Sequence, residues 1–337
     1  MGRALSKMQF GMENPAARGD PVAADTLILG AEIGPVPVDR VPVFPEDALG
    51  VRARSSRALI YNYLVQNTLK IEHGYFDILP MLLSGTLKGN ITASEQNGGE
   101  SDYLWTFAPS MTATNAPDSI TLEVGDNVDA YEVEYVMFEK LKLSGVVAQG
   151  TESSPVMIEA DYFGRQVTKT SFTGAITAPT VEPMNAKLSR IAIDALWANR
   201  GNTEVTAILR AWDLEIIGGL HPTFHGSALR TFDVFGEGFV DAVLTLTFEG
   251  SAAADAERDK WIARTAQAIQ IKVLGSQIGS GDTFSFVANL WGAYENVVPL
   301  AEEDRGNNLH TAVFRGLYGI TGATILELLT TVDVNAF

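Results

Sequence analysis

Residues 240–249 read VDAVLTLTFE, and their strict period of two constrains this chain more than any other feature. Val240, Ala242, Leu244, Leu246 and Phe248 fall on one side. Asp241, Val243, Thr245, Thr247 and Glu249 fall on the other, the pattern of a strand with one face buried. Strand signals of the same kind recur at Leu59–Val65, Tyr103–Phe107, Ile120–Val124, Val133–Val147, Pro155–Phe163 and Ile208–Ile217. Only two stretches read as helix. The first is Gly74–Ser84, strained by Pro80 and closed by Gly85; the second is about Asp255–Gln270, with Asp255 as N-cap. Its apolar positions Trp261, Ile262, Ala266 and Ile269 sit near one helical face. With no alternation of strand and helix, the pattern predicts a mainly β fold, antiparallel or mixed, with one short helix per half.

The order strand, helix, strands occurs twice, with starts about 180 residues apart, which predicts a duplicated architecture. The chain length suits about two domains of ~100–200 residues each. The boundaries read as an extended Pro-, Gly- and Ala-rich arm over 1–50, a first domain over 51–180 and a second over 181–337, with the low-order link Thr177–Pro183 between them.

Chemistry-bearing motifs are sparse. Cysteine is absent, which excludes disulfides and thiolate chemistry. His73, His221, His225 and His310 are the only histidines. His221 and His225 have a zinc-like spacing, but Pro222 and the flanking glycines predict a loop. Glu302-Glu303-Asp304 reads as a solvated acidic loop and GSQIGSGD (275–282) as a flexible turn. No nucleophile elbow, triad or suggestive carboxylate pair appears, so the expectation is a chain that is not an enzyme and needs no cofactor or metal. Met1-Gly2-Arg3-Ala4-Leu5-Ser6 fits the N-myristoylation pattern, and Asn90-Ile91-Thr92 a glycosylation sequon without a secretory signal behind it. No apolar run reaches the ~20 residues of a membrane helix, and the compartment expected by default is cytoplasmic. A formal net charge of −17 repels phosphate, which excludes nucleic-acid binding through the overall field but permits a wall that surrounds DNA without gripping it.

Several stretches occur in an order that resembles one family. They are GMENPAARGDPVAADT (11–26), GYFDILPMLLSG (74–85), YLWTFAP (103–109) with PDSITLEVGD (117–126), FEKLKLSG with VMIEADYFG (138–164), GEGFVDAVLTLTFEG followed by an acidic helix and IQIKVLG, and HTAVFRGLYG (310–319). Together they resemble the tail tube proteins, or major tail proteins, of long-tailed bacteriophages, in the long two-domain version. The resemblance runs from about residue 11 to 334; Pro80 and the WANRGNTE loop (197–204) depart from it.

The resemblance implies a β-sandwich or half-barrel domain, duplicated, that closes into a β-barrel ring on oligomerisation. It implies a structural virion protein whose rings stack into a hollow tube for genome ejection, assembled in the host cytoplasm. A two-domain chain implies a homotrimer with pseudo-sixfold symmetry, with a homohexamer as the alternative. The tail terminator, tape measure and distal tail proteins are the implied partners, and DNA passes through the lumen without specific binding. Strand alternation puts Glu159 with Asp161, Asp213 with Glu215, and Asp241 with Glu249 on polar faces; the resemblance makes them lumen-facing candidates, and the alternative is that they face the outer solvent. Tyr103, Trp105 and Phe107 share a strand face and are expected in the core. The long loop after them, with Ala108, Ser110, Thr112, Asn115 and Asp118, is expected with the N-terminal arm to reach the adjacent ring. The rival readings are another ring or tube protein (a secretion-system tube or tail completion protein) and a carbohydrate-binding β-sandwich.

Overall fold

The computed structural model describes residues 6–32, 38–47, 50–126, 128–148, 150, 152–206, 208–304, 306–319 and 324–337. Met1–Leu5 of the acylation pattern and Arg305 beside the acidic triple lie outside the described residues. In chain order the elements are β1 (Lys7–Met12), β2 (Thr26–Leu27), β3 (Val65–Ile71), α1 (Leu79–Thr86), β4 (Ser94–Glu95), β5 (Tyr103–Phe107), β6 (Ile120–Gly125), β7 (Ala130–Val146), β8 (Val156–Gly164), β9 (Val167–Thr170) and β10 (Ser189–Asp194). There follow β11 (Leu209–Ile217), β12 (Leu220–Thr223), β13 (Val234–Glu237), β14 (Asp241–Glu249), α2 (Ala252–Ile262), β15 (Gln267–Gln277), β16 (Thr283–Asp304), β17 (Asn307–Gly316) and β18 (Leu326–Val332). The fold is mainly β, as the alternation predicts, and every strand pairing is antiparallel.

Seven strands form a continuous wall in the order β3-β8-β7-β11-β14-β17-β16, with the two halves of the sequence meeting at β7 and β11. One register row crosses all seven: Ile71, Ile158, Leu143, Leu214, Leu244, Phe314 and Tyr294. Each is buried, and each fully buried apolar side chain contributes about 1.5–3 kcal/mol. The next row, displaced by one residue, is Lys70, Glu159, Lys142, Glu215, Val243, Arg315 and Ala293. The wall is therefore one-sided, because a period of two sends successive side chains to opposite faces. The apolar side belongs to one hydrophobic cluster that draws residues from both sequence halves, including Phe76, Trp105, Phe107 and Phe286. Trp105 and Phe107 stack at 6.4 Å and are buried, while Tyr103 is half-buried at the strand end.

Both helices differ from expectation. α1 begins at Leu79, so Pro80 sits in the first turn, where its missing N–H has no intrahelical partner to lose. Gly85 lies inside α1 and does not end it; a Cβ there would sit 2.7 Å from Phe138 on β7. α2 is capped by Ser251, whose Oγ accepts from the Ala254 N–H, and Asp255 is in its first turn. It stops near Arg264, at φ 53°, and Ile269 belongs to β15.

Two further expectations change. The strand expected at Leu59–Val65 lies later, at β3, because Tyr61 is exposed and the more polar run VQNTLKI carries the buried positions. The segment read as an outlying arm starts inside the fold. β1 pairs with β6 along its whole length and buries Met8 and Phe10. The Glu302–Asp304 triple is strand, the end of β16 paired with β17, and His221 lies in β12.

Asp77, in the 3-10 turn before α1, is 6% exposed and accepts from the Glu182 N–H at 3.1 Å. Burial, with the Asp333 carboxylate beside it, pushes Asp77 up to about 7 from 3.8. Between those values the folded state holds a proton that the unfolded state has released. Stability therefore falls as pH rises through that window and levels off above it. Asp77→Asn is expected to remove this slope and raise Tm above that of the parent at about pH 8. Parallel Tm–pH curves for the two proteins would refute it.

Candidate functional site

The polar side of the wall brings the six expected carboxylates together. Glu159 and Asp161 project from β8, Asp213 and Glu215 from β11, and Asp241 and Glu249 from β14, all half-buried. The face is not an unbroken acidic surface, however. Lys142 Nζ lies 2.8 Å from Asp213 Oδ2, and Lys140 Nζ lies 2.8 Å from Glu215 Oε2. Arg315 Nη1 lies 2.9 Å from Asp241, with its Nε 3.1 Å from Glu295. Arg210 reaches Glu249 at 3.6 Å and Asp304 at 2.6 Å. Asp161 accepts from the Thr68 hydroxyl at 2.6 Å, and Glu159 stands in register between Lys70 and Lys142.

Hydrogen bonding to Asp213 holds the Lys142 ammonium above its ordinary range, and hydrogen bonding to Glu295 does the same for Arg315. Exposed pairs of this kind contribute only about 0–1 kcal/mol each to stability. Their larger effect is on the field, which they flatten. Sequence reasoning named the acids and missed Lys70, Lys140, Lys142, Arg210 and Arg315. The signal was present for two of them, since Lys140 and Lys142 alternate with Leu141 and Leu143 on β7.

A second surface lies at one end of the wall, around the loop from Ala108 to Asp118. Ser110, Met111 and Thr112 line a groove of about 760 Å³ together with Phe239, Leu317 and Tyr318. Phe239 is 96% exposed. The loop is fixed to its own chain. The backbone N–H groups of Asn115 and Ala116 donate to the Glu237 carboxylate at 2.8 and 3.0 Å, Ser110 N–H donates to Asn115 Oδ1, and Lys88 Nζ donates to the Ala108 carbonyl. Asp118 accepts from the Asn90 N–H and is raised by burial. Asn115 and Asp118 are thus buried positioning residues in this chain, and the exposed tip is Thr112, Ala113 and Thr114. Bonds to a charged acceptor are worth about 1.5–3 kcal/mol. Glu237→Ala is therefore expected to speed hydrogen exchange at Asn115 and Ala116 by about 10–100-fold. Unchanged exchange at those amides would show that Glu237 does not hold the loop.

Among the described residues no cluster of His, Asp and Glu is arranged to hold a metal ion. No helix among them is long and apolar enough to cross a membrane. The sequence matches no protein-family model and no curated protein.

Proposed function

We propose that this chain is a tail-tube subunit, a structural protein that self-assembles into stacked rings around a genome-conducting lumen. The single observation that supports the reading is the one-sided seven-strand wall, built from both halves of the chain, with apolar packing behind it and a charge-paired polar face in front. Such a wall is an arc of a larger barrel. Beyond Gly292 the outer side of β16 pairs with no strand among the described residues; α2 covers its start, where Trp261 Nε1 donates to the Glu295 carbonyl at 3.1 Å, and the unpaired remainder invites pairing with another chain. Edge-to-edge closure by further copies removes that hazard and turns the polar face inward. The strand-helix-strand order around α1 and around α2 fits a duplicated domain, for which three copies complete a pseudo-sixfold ring and a homohexamer is the alternative. In this reading the protein is not an enzyme; it resides in the virion tail, contacts terminator, tape measure and distal tail proteins, and lets DNA slide past.

Negative-stain microscopy of the concentrated protein tests the reading. Rings or tubes with a central channel are the expected result. Isolated monomers at high concentration would overturn it.

A further inference from the structure

Residues 94–103 read SEQNGGESDY, and Asn97-Gly98 is the single Asn-Gly step in the chain. Asn97 is exposed, in the connection between β4 and β5. Its side chain is nevertheless tied down. Nδ2 donates to Asp102 Oδ2 at 2.5 Å, and the Asn97 backbone N–H donates to Asp102 Oδ1 at 3.1 Å. Asp102 is fully buried, and its Oδ2 also accepts from the Asp282 N–H at 2.8 Å. Beside it, Glu100 Oε2 accepts from the Ser280 N–H at 3.0 Å. Ser280 and Asp282 belong to the turn that joins β15 to β16. Two turns 180 residues apart in sequence are thus joined through the carboxylates of Glu100 and Asp102.

The joint is open to one covalent change. The Gly98 N–H has no hydrogen-bond partner among the described residues. A Cβ built on Gly98 would meet nothing within 4 Å, so the site faces solvent. With no side chain to shield it, the nitrogen of a glycine is the least hindered nucleophile a peptide bond offers to a preceding asparagine, a residue type known for thermal lability.

We propose that Asn97 is a modification site, where spontaneous deamidation turns the amide into a carboxylate and releases the 95–100 turn from the β15–β16 turn. The Gly98 nitrogen bonds to Asn97 Cγ, the Cγ–Nδ2 bond breaks, and ammonia leaves with the Gly98 amide proton. Water then opens the cyclic imide at either carbonyl, giving aspartate or isoaspartate. The net change is water consumed, ammonia released and one negative charge gained. The product presents Asp102 with an acceptor where a donor stood, and with a like charge at hydrogen-bonding distance. Residues 94–103 hold no Lys, Arg or His to offset it, and Glu95 already accepts from the Gly99 N–H at 2.6 Å. Asp102 is buried and the 95–99 stretch is exposed, so the exposed side yields. It carries Glu100 away from Ser280 and leaves Asp102 with Asp282. Neither step depends on whether the chain forms rings.

The full-length chain is held in mildly alkaline buffer and digested at intervals for mass spectrometry, with a free peptide of residues 94–103 as control. Residue 97 is expected to pass from amide to acid, and Gly98→Ala to slow the change about tenfold by shielding the nitrogen. That variant is expected to fold normally, because its added Cβ meets nothing and Gly98 lies outside the left-handed region. Hydrogen exchange in the aged chain, and in Asn97→Asp, is expected to be about 10–100-fold faster at residue 97 and Ser280, with Asp282 unchanged. An Asn97 that keeps its amide while the free peptide converts would overturn the modification. Conversion with unchanged exchange at residue 97 and Ser280 would overturn its structural effect. An equal rise at Asp282 would show that the buried carboxylate lets go as well, and would overturn the exposed turn as the moving part.

Discussion

Glu13→Ala is expected to destabilise the fold by about 3–5 kcal/mol, a large effect for one side chain. Glu13 is 2% exposed. Its two carboxylate oxygens accept from the N–H groups of Gly19 (2.7 Å) and Tyr135 (2.8 Å) and from the hydroxyls of Ser119 (2.7 Å) and Thr121 (3.0 Å). Truncation leaves these buried donors without an acceptor, and each orphaned donor costs about 1–3 kcal/mol. Tyr135 adds to the expected loss. It sits at φ 54° within β7, beside the register shift opposite β6, so the carboxylate holds a strained backbone as well as a hydrogen bond. Urea unfolding measures the loss, and Glu13→Gln, which keeps one oxygen acceptor, is expected to lose about half as much. A Glu13→Ala loss below about 1 kcal/mol would mean that water enters and replaces the carboxylate.

The same knot shows where the sequence was hard to read. β14 was legible because one of its faces is buried and the other is not, so hydrophobicity itself alternates. The four central residues of β1, Met8 to Gly11, are all buried, one side against the core and the other under residues 22–27 and Thr173; its pattern carries no period and resembles a mixed linker. Glu13 follows β1 directly, in a Pro- and Gly-rich setting where an acidic residue reads as solvated. The apolar run at Leu59–Val65 misled in the opposite direction. Its β-branched and aromatic residues favour a strand locally, yet Tyr61 remains exposed. The length of α2 was overread for a simpler reason, since Ile269 is equally compatible with a helical face and with a strand until Arg264 breaks the chain direction. For the polar face, each acid's strand was visible but its neighbour was not. Pairing Lys142 with Asp213 requires the register between β7 and β11, residues that are about 70 apart in sequence.

That register changes what the acids are expected to do, and Asp213→Asn combined with Glu215→Gln tests it. If the carboxylates act only through the chain's overall charge, the change from −17 to −15 (two acids neutralised) should leave DNA repelled. If they act by occupying Lys140 and Lys142, the substitution frees two ammonium groups, each held at 2.8 Å in the parent, on a face that in the proposed tube meets DNA. Short duplex DNA is then expected to bind the variant, with log K falling against log salt at a slope of about −2, since two phosphates are neutralised at about −0.9 each. The parent is expected to show no salt-dependent binding. Lys140→Ala with Lys142→Ala in the same background is expected to abolish the new binding, which ties it to those two side chains and not to a general loss of repulsion. No binding by the Asn/Gln variant would mean that the paired lysines are not the residues being masked. Replacing all six carboxylates by lysine is the stronger perturbation, because it removes six negative charges and adds six positive ones, taking the net charge from −17 to −5. In assembled tubes it is expected to hold DNA in the channel and impede its passage, while rings still form because the substitutions lie on the polar face and leave the buried row from Ile71 to Tyr294 untouched.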